Sequence, residues 1–76
     1  MLISLRTLDG NSFELNVEVN DSIYEVKEKI FTQEGLYLEY LKLIFAGKQL
    51  EDQRTVRSYG IQKNSTIYII MRQFSG

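Results

Sequence analysis

The chain has 76 residues with no cysteine, histidine, proline or tryptophan, and its nine basic and ten acidic side chains leave a net charge of −1. That length fits one small domain, which buries only about 60% of its unfolded surface and needs an efficient core. Without Cys or His, disulfides, thiolate nucleophiles, cysteine-ligated zinc centres and the usual general base are excluded, so a non-catalytic interaction module leads the functional readings.

Near-neutral charge argues against nucleic acid or an acidic membrane as partner. No apolar run approaches the roughly 20 residues that span a bilayer, and Arg6 and Asp9 interrupt any signal-like stretch. Charge is unevenly placed. Residues 1–41 carry three cations against eight acids, a net of −5, and residues 42–76 carry six against two, a net of +4. The basic half suits a rim that steers association.

Met1, Ile3 and Leu5 alternate with Leu2, Ser4 and Arg6, the period of a strand. Asp9-Gly10 marks a turn, and Phe13, Leu15 and Val17 alternate on the way back, so residues 1–17 are predicted to form a β-hairpin. Ser22 and Glu25 have capping-box spacing, and Ile23, Val26 and Ile30 follow on one helical face. Gly35 suits a left-handed C-cap, which predicts a helix over 23–34. Leu36 to Leu41 is too apolar for a free loop and is expected to cover an edge of the core. A strand over 40–45, a turn at Ala46-Gly47 and a short extended piece over 48–50 come next. Thr55 is placed to cap a brief turn that Gly60 ends, and Thr66 to Arg72 reads as the last strand. Strands gathered around one helix predict an α+β fold with that helix on one face of a mixed sheet.

No chemistry-bearing constellation emerges. Gly47-Lys48 lacks the earlier glycine of a phosphate loop, Glu51-Asp52 supplies too few ligands for a calcium site, and no serine–lysine spacing stands out. Neither a metal nor a cofactor is expected. Alternation is more informative. If Leu41, Leu43, Ile67 and Ile69 point inward, Lys42, Ile44, Tyr68, Ile70 and Arg72 point outward. Provided the two strands are neighbours, Ile44 and Ile70 joined by Tyr68 and ringed by Lys42, Lys48 and Arg72 make an apolar patch with a basic rim, the form of a protein-binding surface.

The run from Leu43 to Asp52, Leu-Ile-Phe-Ala-Gly-Lys-Gln-Leu-Glu-Asp, resembles the ubiquitin family, as do Thr7-Leu8, Glu34-Gly35, Ile61 to Lys63 and Ser65-Thr66. The likeness runs along the whole chain without insertion or deletion. It implies a β-grasp domain over 1–72 and a flexible tail over 73–76. It adds Leu8 to the patch of Ile44, Tyr68 and Ile70, with Tyr68 where the family has histidine. It implies candidate acceptor lysines at Lys27, Lys29, Lys48 and Lys63, and a second apolar patch kept in part at Leu8, Leu36 and Met71.

The implied partners are ubiquitin-binding domains or pathway enzymes, with the chain monomeric and, if natural, cytoplasmic or nuclear. The tail departs from the family pattern. Phe74 and Ser75 stand before Gly76 in place of a charged contact and a second glycine, which argues against conjugation through Gly76. Changes at core positions Leu5, Phe13, Val56, Ile67 and Ile69, with Val19, Tyr37 and Leu38 where the family has prolines, suggest a redesigned scaffold selected for stable folding. The alternative expectations are a natural module that binds ubiquitin-recognising domains through the patch or, ranked lower, a conjugable modifier.

Overall fold

The computed structural model describes residues 1–72; the expected tail 73–76, with Phe74, Ser75 and Gly76, lies outside the described residues. Strands β1 (Leu2–Thr7) and β2 (Ser12–Asn16) form an antiparallel hairpin that pairs Leu2 with Asn16 and Arg6 with Ser12. The amide of Val17 donates to the Met1 carbonyl at 2.8 Å, which ties off the open end.

The turn marked by Asp9-Gly10 joins the two strands, but it is wider than the two-residue type common for that dipeptide. The two-residue type needs a positive φ at both positions, whereas here only Gly10 has one, at 92°. The Thr7 amide instead reaches the Asn11 carbonyl at 2.9 Å, and Thr7 Oγ1 donates to the Asp9 carboxylate. That hydrogen bond, with a further one from the Asn11 amide, holds the Asp9 carboxyl below its ordinary pKa.

Helix α1 (Ile23–Glu34) starts and stops where local chemistry dictates. Ser22 Oγ accepts from the Glu25 amide at 3.0 Å, and Glu25 Oε1 accepts from the Ser22 amide at 2.9 Å, completing the capping box. Two more early amides of the helix are met from outside it, since Ile23 donates to the Arg54 carbonyl at 2.8 Å and Tyr24 to the Asp52 carbonyl at 3.1 Å. At the far end Gly35 turns left-handed, φ 75°, and its amide donates to the Phe31 carbonyl.

The expected cover over 36–41 includes a single 3₁₀ turn, Leu38–Tyr40, that leads into β3 (Leu41–Phe45). Ala46 and Gly47 both take positive φ, 52° and 77°, the primed geometry that returns the chain tightly into β4 (Lys48–Gln49). A second 3₁₀ turn, Arg57–Tyr59, follows Thr55, whose Oγ1 accepts from the Ser58 amide at 3.2 Å. Strand β5 (Thr66–Met71) completes a five-stranded sheet ordered β2-β1-β5-β3-β4. β1 and β5 run parallel and the remaining pairs antiparallel, which makes the sheet mixed.

The core lies between the sheet and α1. Ile3, Leu5, Leu43, Ile67 and Ile69 from the strands meet Ile23, Val26 and Ile30 from the helix, all of them buried. Leu50, Val56 and Ile61 from the connections close the flank. One mixed sheet, one helix across it and β-β-α-β-β-β order make a β-grasp.

Candidate functional site: the uncovered sheet face

Because α1 occupies one face of the sheet, the other face stays open among the described residues, and strand parity decides what stands on it. Leu41, Leu43, Ile67 and Ile69 are buried, so their alternates point away from the helix. The β3–β5 register sets Lys42 opposite Ile70 and Ile44 opposite Tyr68, so the two strands are neighbours and the four outward residues form one block. The parallel β1–β5 register adds Arg6 beside Tyr68, and β3–β4 adds Gln49 opposite Ile44. The Arg72 amide donates to the Tyr40 carbonyl at 2.7 Å, which extends the β3–β5 ladder and fixes where the exposed Arg72 leaves the sheet.

Several placements differ from the expectation. Tyr68 is exposed, but Ile44 and Ile70 are only half-buried rather than standing free in solvent. They lie within the sheet, and cross-strand neighbours such as Tyr68 and Lys42 cover part of each. Lys48 sits opposite Phe45 rather than Ile44, one position off the block, so it belongs to the rim and Gln49 to the face. Arg6 and Gln49 also belong to the face, although alternation within β3 and β5 does not point to them. Alternation of Ile3 and Leu5 against Ser4 and Arg6 carried the signal for Arg6, but the parallel partner of β1 had to be known.

Leu8 is 78% exposed on the hairpin connection. It lines a groove at the end of the sheet with Phe13, Leu36, Ile69 and Met71, with a volume of about 610 Å³. Leu8, Leu36 and Met71 are thus brought together in one groove.

The four candidate lysines differ sharply. Lys48 and Lys63 are exposed, and neither forms an ion pair among the described residues. Lys27 is buried on the helix, and its ammonium lies 2.7 Å from Asp52 Oδ1. Lys29 Nζ donates to Asp21 Oδ2 at 2.7 Å and to the Asn16 carbonyl at 3.3 Å. Burial alone would raise the Asp21 pKa, but the Glu18 amide at 2.9 Å and the Lys29 ammonium outweigh it and hold the carboxyl below its usual range. As acceptors, Lys27 and Lys29 would first have to break these contacts.

The loop that follows Lys48 is pinned from one side. Tyr59 Oη accepts from the Glu51 amide at 2.8 Å, and the Arg54 guanidinium stacks 4.4 Å from the Tyr59 ring centroid. No cluster of three or more metal-ligating side chains occurs among the described residues.

Comparison with known proteins agrees with this geometry. The family model for the ubiquitin family matches residues 3–74. Ubiquitin-like protein 1 of Schizosaccharomyces pombe is 34% identical over 71 residues, which span 93% of this chain and 91% of that protein. Ubiquitin-like protein NEDD8 of Dictyostelium discoideum is 32% identical, with 93% and 92% covered. The E3 ubiquitin-protein ligase parkin of Rattus norvegicus is 29% identical over 95% of this chain but only 16% of its own length, so there the likeness is to one part of a larger protein. The expectation of a redesigned scaffold finds no support in these relatives. With its family model matched over nearly its whole length and its helix lying across a five-stranded β-grasp sheet, the chain belongs to the ubiquitin family.

Proposed function

We propose that the chain is a non-catalytic binding module that engages ubiquitin-recognising domains through Lys42, Ile44, Tyr68 and Ile70, with Arg6, Lys48 and Arg72 as a cationic rim. The observation that carries this reading is the β3–β5 register, which sets two apolar outward residues and an exposed tyrosine side by side on an uncovered face. An apolar centre within a polar rim is the usual anatomy of a protein interface, and the basic rim favours acidic partners through faster association. Tyrosine in place of the family's histidine presents a larger amphipathic ring of the type enriched at interfaces.

Titration of the isotopically labelled chain with common ubiquitin-binding domains tests the proposal. Shifts should centre on residues 42, 44, 68 and 70, and Ile44→Ala should abolish them while the fold persists, because Ile44 lies outside the buried core. Unchanged resonances at those four positions would refute it.

A modifier function is a second reading, favoured by the similarity to ubiquitin-like protein 1 and NEDD8 along more than nine-tenths of their lengths. Ser75 and Phe74 before Gly76 weigh against it. A thioester formed at Gly76 with an activating enzyme would establish it. As an acceptor rather than a donor, the chain would be modified at Lys48 or Lys63, whose amines are accessible.

A further inference from the structure

A second exposed surface lies on the opposite side of the molecule, at the outer edge of α1. Tyr24 and Phe31 are seven residues apart, two turns along one helical stripe, and both are exposed beside the buried stripe of Ile23, Val26 and Ile30. Tyr37, also exposed, brings its ring centroid to 5.5 Å from Phe31 and 6.2 Å from Tyr40, the latter edge-on at 80°. Tyr24, Phe31, Tyr37 and Leu38 line a shallow groove of about 360 Å³ whose remaining walls are Lys27, Glu39 and Asp52. Aromatic rings bring more apolar area to a contact than other side chains, so several of them clustered at the surface mark a place of contact.

The charge around the groove identifies the kind of contact. Lys27 and Asp52 neutralise each other at 2.7 Å. Glu39 remains in the wall, and Glu28 stands one helical turn from both Tyr24 and Phe31. Both are exposed, and neither forms an ion pair among the described residues. Ring faces next to unpaired carboxylates complement a planar cation, which can stack on the one and hydrogen-bond to the other. A guanidinium does both, whereas an ammonium is a point charge that keeps its water. The same two unpaired carboxylates disfavour a phosphate-bearing partner such as nucleic acid or an acidic membrane.

We propose that this groove docks an arginine-bearing, net-basic segment of a partner protein, with the guanidinium laid on the Phe31 and Tyr37 rings and paired with Glu39. Helix and open sheet face lie on opposite sides of the core, so the two surfaces share no residue and can be occupied together.

The experiment is a titration of the labelled full chain with the synthetic peptide acetyl-Gly-Arg-Leu-Arg-Leu-Arg-Gly-amide and with its lysine-for-arginine counterpart. Shifts should concentrate at Tyr24, Phe31, Tyr37 and Glu39, with the arginine peptide at least about threefold tighter. Phe31→Ser and Glu39→Lys should each weaken binding about fivefold or more, with Ile44→Ala unchanged. Glu39 is an exposed turn residue, so its charge reversal decides the matter even if Phe31→Ser perturbs the helix. Four results would overturn the proposal. They are shifts spread over all acidic residues, shifts on the sheet face, equal affinity for the two peptides, and sedimentation showing that the groove is filled by a second copy of this chain.

Discussion

Lys27 offers the sharpest test of how this fold assigns its charges. Its side chain is 11% exposed and pairs at 2.7 Å with Asp52, whose side chain is 48% exposed. Asp52→Asn leaves an ammonium in a largely dry position without its counter-charge. A fully buried pair broken this way loses about 3–5 kcal/mol. Here one partner is half in water, so solvent can replace part of the lost interaction, and the expected loss is about 1–2 kcal/mol. For a domain of this size that lowers Tm by roughly 4–16 °C.

Lys27→Met removes the charge together with its desolvation cost, keeps the stem among Ile23, Val26 and Ile30, and should stay within about 1 kcal/mol of the parent. Thermal and urea unfolding of the two variants measures the order. Trace acetylation of the folded chain supplies a second readout, with Lys48 and Lys63 modified well before Lys27. If Lys27→Met proves as damaging as Asp52→Asn, or Lys27 acetylates as fast as Lys48, the ammonium is not held as described and the reasoning fails.

Ser22→Ala removes half of the capping box and should cost about 1 kcal/mol in denaturant unfolding, with the loss recovered in Ser22→Asp. Asp21 has a depressed carboxyl pKa in the folded state, so its contribution is present above the unfolded value near 4 and is lost as pH falls through the folded value. Asp21→Asn should therefore destabilise the chain at pH 7 and flatten the acid limb of a stability–pH curve. Ala46 holds a φ of 52°, strained for a residue with a Cβ. Ala46→Asn should raise stability by about 0.5–1 kcal/mol, read as a higher urea midpoint at constant slope.

Much of the fold was legible in the sequence because its signals are local. Ser22, Glu25 and Gly35 specify both ends of α1 through hydrogen bonds to residues three or four positions away, so the predicted and observed helix agree over 23–34. The hairpin, the Ala46-Gly47 turn and the alternation in β3 and β5 are likewise written in neighbouring residues. The family resemblance, carried chiefly by Leu43 to Asp52, supplied the β-grasp arrangement that such local signals leave open.

What only the tertiary structure decided depends on residues far apart in sequence. The parallel β1–β5 pairing puts Arg6 next to Tyr68, and the β3–β4 register puts Gln49 rather than Lys48 across from Ile44. Helical periodicity places Lys27 four residues after Ile23 and three before Ile30, on the buried stripe, yet a lysine there reads as surface. Its burial becomes tolerable only when the loop after β4 delivers Asp52. The cluster of Phe31, Tyr37 and Tyr40 forms in the same way, since Gly35 and the 3₁₀ turn fold the chain back along the helix and bring ring to ring. Hydrogen-bond chemistry within a few residues fixes elements, whereas the neighbours of a side chain across the core are set by how those elements pack.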